Sequence, residues 1–410
     1  MREVDFRELN SYFLTQRALH TCRFPMNPVP LARGNPELHL LTLWLFLFCS
    51  SFGCAENEQT RPEQASGSVI ERIRRADWVE QIFTADTLRL VIPAEFALQA
   101  CHSLHVSANR EIFLVDPFSP AVLRFDRRGR FLGQVGNQGK GPGEYVMPSQ
   151  VITINHRIFV SDVGLRRVSV YDSTGLFLNS FYAESLLAGI YAGPNQTLVT
   201  HQLRVPHPDW PTIHVYSLEG KLLAQFGRAS ESYRLFQRLG RNISGPCLAQ
   251  MDGVYYQVDY TDYRITAYSQ DGQTEKVFGI PPKQYRSVQT APVEKIPRAS
   301  VVGPAYLRQL NRFIEDHFMR CSVVEGILAF PRGLLATLVT NPRKTGFEHR
   351  AYLNFYTPSG ELIRNELPFK RRRVWRLSPP DKVFALRFAE QSDPASQIID
   401  LVVLTLSKAE

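Results

Sequence analysis

The stretch Ile112-Phe-Leu-Val-Asp116, Val122-Leu-Arg-Phe-Asp126, Arg127-Arg-Gly129 and Arg130-Phe-Leu-Gly-Gln-Val-Gly136 decides the fold, because its pattern returns along the chain. It recurs as Ile158-Phe-Val-Ser-Asp162, Val168-Ser-Val-Tyr-Asp172, Ser173-Thr-Gly175 and Leu176-Phe-Leu-Asn-Ser-Phe181. A third copy runs Thr197-Leu-Val-Thr-His201, Ile213-His-Val-Tyr-Ser217, Leu218-Glu-Gly220 and Lys221-Leu-Leu-Ala-Gln-Phe-Gly227. Shorter matches end at Gln270-Asp-Gly272 and Thr357-Pro-Ser-Gly360. Each copy alternates apolar strands with turns, and a glycine closes the same hairpin, where positive φ is often needed. The first three glycine intervals, 46, 45 and 52 residues, match a four-stranded propeller blade. The last, 88 residues, holds an insertion, since residues 281–300 lack strand alternation.

A final unit over residues 374–406 has only three strands. Its fourth is expected from Thr87-Leu-Arg-Leu-Val-Ile92, at the other end of the repeat region, which would close the ring and hide the sheet edges. The expected fold is therefore all-β: a six-bladed β-propeller over residues 82–410, with terminal-strand ring closure and one helical insertion. That helix is expected within 304–319. Tyr306, Leu307, Leu310, Phe313, Ile314, His317 and Phe318 share a stripe behind Pro304, and docking on the propeller is the favoured reading. Residues 68–83 read equally as a short helix or an extended lead-in.

The segment Gly136-Asn-Gln-Gly-Lys-Gly-Pro-Gly-Glu-Tyr145, followed by Pro148, links the first two copies. With the repeats, it resembles the six-bladed NHL-like β-propeller family of bacterial envelope lipoproteins, over residues 82–406. The resemblance implies an exported protein. Gly139-Lys140-Gly141 lacks the Ser or Thr and the following helix of a phosphate loop, so a kinked inter-blade connection is expected there.

The N-terminus agrees with export. Residues 38–48 are apolar but short for a span, Arg33 precedes them, and Ser51-Phe-Gly-Cys54 follows. This order resembles a lipoprotein signal, with Cys54 as the lipidated residue; Ser51 departs from the usual Leu of that motif. An uncleaved anchor is the other reading. Met26 is the more natural start, so residues 1–25 are set aside within the leader 1–54. Residues 55–81 are expected as a polar tether and lead-in. Ala55 after the cysteine implies, by resemblance, the outer membrane of a Gram-negative cell envelope.

Of 410 residues, 44% are hydrophobic and 21% charged, which excludes a mainly disordered chain. Cys101, Cys247 and Cys321 are an odd set, and none forms a Cys-x-x-Cys pair. Cys101-His102-Ser-Leu-His105, His201, His207 and His214 yield no matched ligand set, and no Gly-x-Ser-x-Gly elbow is present. No catalytic residue, cofactor or metal is assigned. Propeller lyases and lactonases hold a channel metal, so the resemblance leaves one alternative: a metal-dependent hydrolase or lyase working in the central channel.

Charge is the remaining signal. The chain has 47 Lys+Arg against 39 Asp+Glu, a net +8. In a propeller, second-to-third-strand loops and blade-to-blade connections share one face. Here those connections hold 22 Lys+Arg and 14 Asp+Glu, so the basic excess falls on that face. Lys370, Arg371, Arg372 and Arg373 are its densest point, and Arg166 and Arg167 sit at the matching place in the second copy. The expected function is a monomeric, lipid-anchored, non-catalytic binding module for an anionic glycan, a lipid headgroup or an envelope protein. An exported address argues against nucleic acid. Cys54→Ser should release the protein from membranes or block its maturation, as read by fractionation and by the mass of the mature N-terminus; unchanged retention and mass would remove the lipoprotein reading.

Overall fold

A computed structural model describes residues 62–96, 98, 103–183, 187–202, 210–229, 247–258, 263–287, 304–313, 316, 320–331, 333–341, 350–370, 375–378, 381–388 and 396–407. Cys54 and the leader lie outside the described residues. Helix α1 (Pro62–Arg75) and a 3-10 turn (Val79–Gln81) lead into strand β1 (Phe83–Pro93). Valine-, leucine- and aromatic-rich runs then build antiparallel sheets of four strands each.

Blade 1 comprises β2 (Ser103–Val106), β3 (Ile112–Asp116), β4 (Ala121–Phe125) and β5 (Phe131–Gln134). A two-residue parallel pair, β6 (Asn137–Gln138) with β7 (Glu144–Tyr145), folds the linker. Blade 2 comprises β8 (Pro148–Ile154), β9 (Arg157–Asp162), β10 (Arg167–Tyr171) and β11 (Phe177–Tyr182). Blade 3 comprises β12 (Leu187–Ala192), β13 (Leu198–Gln202), β14 (Ile213–Tyr216) and β15 (Leu222–Phe226). Blade 4 comprises β16 (Leu248–Met251), β17 (Val254–Val258), β18 (Ile265–Tyr268) and β19 (Thr274–Phe278). After helix α2 (Pro304–Phe313), blade 5 comprises β20 (Val323–Phe330), β21 (Leu334–Thr340), β22 (Ala351–Tyr356) and β23 (Leu362–Pro368). Blade 6 combines β24 (Trp375–Ser378), β25 (Lys382–Phe388) and β26 (Ser396–Leu406) with β1.

The first strands of the six blades form a closed circuit: β2 beside β8, then β12, β16, β20, β24 and back to β2. Closure by a terminal strand holds as expected. It is longer than the sequence suggested, with β1 paired to β26 from Phe83↔Leu406 to Pro93↔Ser396.

The core is six seams between neighbouring blades. Phe113, Val151 and Tyr171 fill the first seam, and Phe159, Ile190 and Leu198 the second. Val199, Leu248 and Tyr255 fill the third, and Tyr256, Ile327 and Tyr352 the fourth. Leu338, Leu353 and Val402 belong to the fifth, and Leu104, Leu123 and Leu401 to the sixth.

Of the two readings of the lead-in, the structure has the helix, and it packs on the blades. Val69, Ile73, Ala76, Val79 and Ile82 are buried in the fifth seam with Ile363 and Leu367 of β23. Arg364 donates to the Arg74 carbonyl (3.1 Å), and the Lys370 N–H donates to a Glu80 carboxylate oxygen (3.0 Å). The cause is topological. Blade 6 has no continuous third-to-fourth hairpin, because its fourth strand enters from the other end of the chain, and α1 with the 3-10 turn covers the outer strand of blade 5 beside that entry point. Helix α2 forms within the expected span, with Leu310 and Phe313 buried.

Third-to-fourth hairpins of blades 1–5 repeat two local devices. The turn glycine has positive φ (81° to 96°) and donates its N–H to the residue three before it, as in Gly220 to Ser217 (3.0 Å). Three positions after it, one residue bulges out of register: Leu132, Leu178, Leu223, Glu275 and Ile363 in blades 1 to 5. The turn also seats against the preceding blade. A Cβ on Gly220 would lie 2.3 Å from Phe181 Cγ, whereas one on Gly175 would meet only Val135 Cγ2, at 3.9 Å. Gly175→Ala should therefore cost only the left-handed backbone penalty, about 1 kcal/mol. Gly220→Ala adds the clash and should cost about 3 kcal/mol by chemical denaturation; equal losses would show that the seam accommodates a methyl.

Candidate functional site

Strand ends divide the connections as the sequence implied. The hairpins β4–β5, β10–β11, β14–β15, β18–β19 and β22–β23 are tight, while the long connections, including residues 203–212, 227–247 and 279–322, all leave from the opposite end of the strands. In blades 1 and 2, an aspartate ending the second strand shapes the loop on that side. Asp116 accepts the Phe118 and Ser119 N–H groups at 2.8 and 3.2 Å. Asp162 accepts from Val146, Met147 and Leu165 at 2.8, 3.1 and 3.0 Å. Both carboxylates are buried and serve backbone donors.

Arg166 and Arg167, adjacent in sequence, separate in role. Arg166 is exposed, at φ 53°, on the loop that Asp162 holds. Arg167 turns inward and donates one Nη to the carbonyls of Gly141 and Glu144, each at 2.6 Å. Its guanidinium is spent on the linker. Lys370 is exposed, with its backbone N–H fixed by Glu80. Arg371, Arg372 and Arg373 lie outside the described residues.

The linker motif has a structural explanation. Glu144 accepts the Gly141 N–H (2.7 Å), and a Cβ on Gly139 would lie 2.0 Å from that carboxylate. Tyr145 OH accepts from Val122 N (3.1 Å) and Gln134 Nε2 (2.7 Å), tying the linker to blade 1. Tyr171 OH donates to the Gly143 carbonyl (3.1 Å), tying it to blade 2; burial pushes this phenol up to about 12.

Among the described residues, His105, His201 and His214 do not form a ligand set. His105 Nε2 accepts the Thr153 N–H (3.1 Å), bridging the inner strands of blades 1 and 2. His214 Nδ1 lies 3.3 Å from Tyr216 OH. His201 pairs with Ile213 and so takes the place of Val115 and Ser161 in the first two blades, one residue before that of Asp116 and Asp162. It is buried, and neither ring nitrogen has a hydrogen-bond partner. Burial lowers His105 and His201 to about 4, the nearby His214 adding to the effect at His201. His102 and His207 lie outside the described residues, as does Cys101. Cys247 and Cys321 are buried thiols just before β16 and β20, and Cys321 Sγ donates to the Ser287 carbonyl (3.6 Å). Among the described residues, no group of three or more His, Cys, Asp or Glu is placed to hold a metal ion.

Sequence reasoning missed a buried polar chain between blades 4 and 5. Tyr356 OH donates to Tyr263 OH (2.9 Å), which lies 2.7 Å from Thr337 Oγ1. Asn354 Nδ2 donates to the same hydroxyl (3.2 Å), and its Oδ1 accepts the Glu366 N–H (2.9 Å). Burial raises the Tyr263 phenol well above its ordinary value. No local pattern signalled it, since Tyr263 and Tyr356 lie 93 positions apart. Each hydroxyl of this chain has protein partners, so it reads as a stitch across the seam.

Comparison with known proteins supports the architecture. Residues 70–216 match the family profile DUF5128, described as a 6-bladed beta-propeller. A search of curated proteins returns no match. Among solved structures, a Bacteroides fragilis protein inferred to be exported is similar, with a TM-score of 0.52 and 12% identity, over 80% of this chain and 97% of that one. A Bacteroides vulgatus member of the DUF4221 family has a TM-score of 0.50 and 10% identity, over 79% and 98%. At such identities the likeness is one of fold. The chain is a six-bladed β-propeller.

The buried histidines set an acid limit. Unfolded imidazole titrates near 6.5, and His105 and His201 remain neutral in the fold down to about 4. Between those values the unfolded chain binds more protons, so stability falls as pH falls, by about 1.4 kcal/mol per pH unit for each histidine. His201→Leu removes one such term and one unpaired polar ring. Its melting temperature should rise at neutral pH and fall less steeply between pH 6.5 and 4; a steeper acid loss than wild type would contradict the assignment.

Proposed function

We propose that the protein is an envelope-tethered, non-catalytic propeller that captures an anionic ligand on the face carrying its long connections. One observation carries this reading. Every long connection leaves from the same end of the strands, and the opposite end is closed by tight, glycine-terminated hairpins. Variation gathered on one face of a repeat protein is where binding surfaces are usually built. That face holds the basic excess of the sequence, with Lys370 and Arg166 exposed on it.

Arg166, Lys370 and the Arg371–Arg373 run are the proposed contacts; Arg167 is left out, because its guanidinium holds the linker. Arginine offers paired planar donors to carboxylate or phosphate groups. The exported address rests on the N-terminal pattern and the likeness to envelope lipoproteins, and fits attachment through Cys54. Glycan and lipid headgroups present the same anionic chemistry to these side chains.

The test is a salt titration of the full chain against anionic vesicles and, separately, an acidic polysaccharide. Replacing Arg371, Arg372 and Arg373 with Ser should change stability by no more than about 0.5 kcal/mol, the usual range for the solvated positions this proposal gives them. Binding at low salt should fall, and its salt dependence should flatten. Equal binding by wild type and variant at every salt concentration would refute the site.

A further inference from the structure

At the end closed by tight hairpins, each of blades 1–5 presents two turns, one between its first two strands and one between its last two. In blade 1 these turns hold Arg110 and the pair Arg127 and Arg128, all exposed. An ion pair from Arg124 Nη2 to Glu111 Oε1 (2.6 Å) brings the two turns together and occupies Glu111. Asp126 is taken by Arg130 Nε (2.6 Å) and by the Arg128 N–H (2.8 Å). Arg110, Arg127 and Arg128 are left with no acidic partner among the described residues. Blade 4 has the opposite sign. Asp252 and Asp271 are exposed in its two turns. These turns also touch, since a Cβ on Gly253 would lie 2.3 Å from Gln270 Nε2. Asp271 accepts the Ser269 hydroxyl, and neither aspartate has a basic partner among the described residues. Glu275 and Lys276, on the outer strand of that blade, cancel.

The other blades complete the pattern. Across blades 2 and 3, Arg157 pairs with Glu219 (3.3 Å), which leaves Asp172 on blade 2 and Lys221 on blade 3 without an ion pair. In blades 5 and 6 the charges are matched, Glu361 with Arg74 and Asp381 with Lys382. The circuit of inner strands puts blade 4 three places from blade 1 in either direction, at the far end of a diameter. A two-fold axis in the plane of this end, crossing that diameter, exchanges blade 1 with blade 4, blade 2 with blade 3 and blade 5 with blade 6. Each unpaired patch then meets the opposite sign: the three arginines face the two aspartates, and Asp172 faces Lys221. Self-complementarity under one two-fold rotation is what an isologous interface requires.

We infer that two copies of the chain pair by their hairpin ends, blade 1 of each against blade 4 of the other. The pairing leaves both long-connection faces open and pointing apart, so it does not compete with a ligand captured there. Its contacts are exposed charges, so it is weak and dissociates as salt screens it. It replaces the monomer expected from the sequence.

The test is sedimentation velocity on the full chain across a salt titration. Wild type should be dimeric at low salt and monomeric at high salt. Arg128 and Asp271 hold equivalent places, each directly before its turn glycine. Arg128→Glu and Asp271→Lys should each weaken pairing about tenfold, because a substitution enters a two-fold interface twice. The double variant, Arg128→Glu with Asp271→Lys, keeps the wild-type net charge and should pair again to within about twofold of wild type. Melting temperatures of all three variants should stay near the wild-type value, since both side chains are exposed. Three results would overturn the proposal: a wild-type chain monomeric at every salt concentration, single variants that pair as wild type does, or a double variant that stays monomeric.

Discussion

The contact between one blade's hairpin turn and the previous blade's outer strand is what the ring depends on. Where the earlier strand presents an aromatic, as at Phe181, Phe226 and Phe278, the turn residues Gly220, Gly272 and Gly360 lie so close that no Cβ fits. Each seam is thus filled from both sides, by apolar faces near the channel and by a turn against a ring at the rim. A propeller has no other core, since each sheet is too small to bury its faces alone. Gly129 shows that the terminal strand joins this scheme: a Cβ there would meet the Arg89 carbonyl and Leu90 of β1. β1, from the other end of the repeat region, serves blade 1 as the other outer strands serve their neighbours.

Closing the ring with β1 leaves a consequence at the fifth seam. The other blades reach their fourth strand by a hairpin; blade 6 reaches it by an eleven-position pairing with β26, with no covalent turn between the two. The outer face of β23 beside that entry point would then be apolar and open. α1 and the 3-10 turn supply what a hairpin would have supplied, with Ile82 and Phe83 buried beside Leu367. The same chain therefore contains a worked example of how a helix sits on a bulged outer strand.

The two ends of the blades are specialised differently. Tight hairpins must fit a neighbour and so keep their length and their glycine. The other end meets no such constraint, and there the loops lengthen from the short turn held by Asp162 to connections of twenty residues and more. In blades 1 and 2 an aspartate organises a short loop by accepting backbone N–H groups; the pairing register puts Gln202 at that place in blade 3, with His201 one residue before it.

Several features were legible in the residues alone. The repeated apolar runs with a glycine at a fixed place determined the strands, the hairpins, the number of blades and the terminal closure, because alternation and positive φ are local properties. The basic excess on one set of connections follows from the same register. The divided roles of Arg166 and Arg167 were not legible: side by side in sequence, one faces solvent and the other feeds two carbonyls of a linker more than twenty residues away. The tyrosine chain across blades 4 and 5 joins residues 93 positions apart at its longest link. The lead-in was ambiguous for the same reason. Val69, Ile73 and Ala76 form a stripe only in relation to something that covers it, and the outer strand of blade 5 exists as a surface only once the ring has closed.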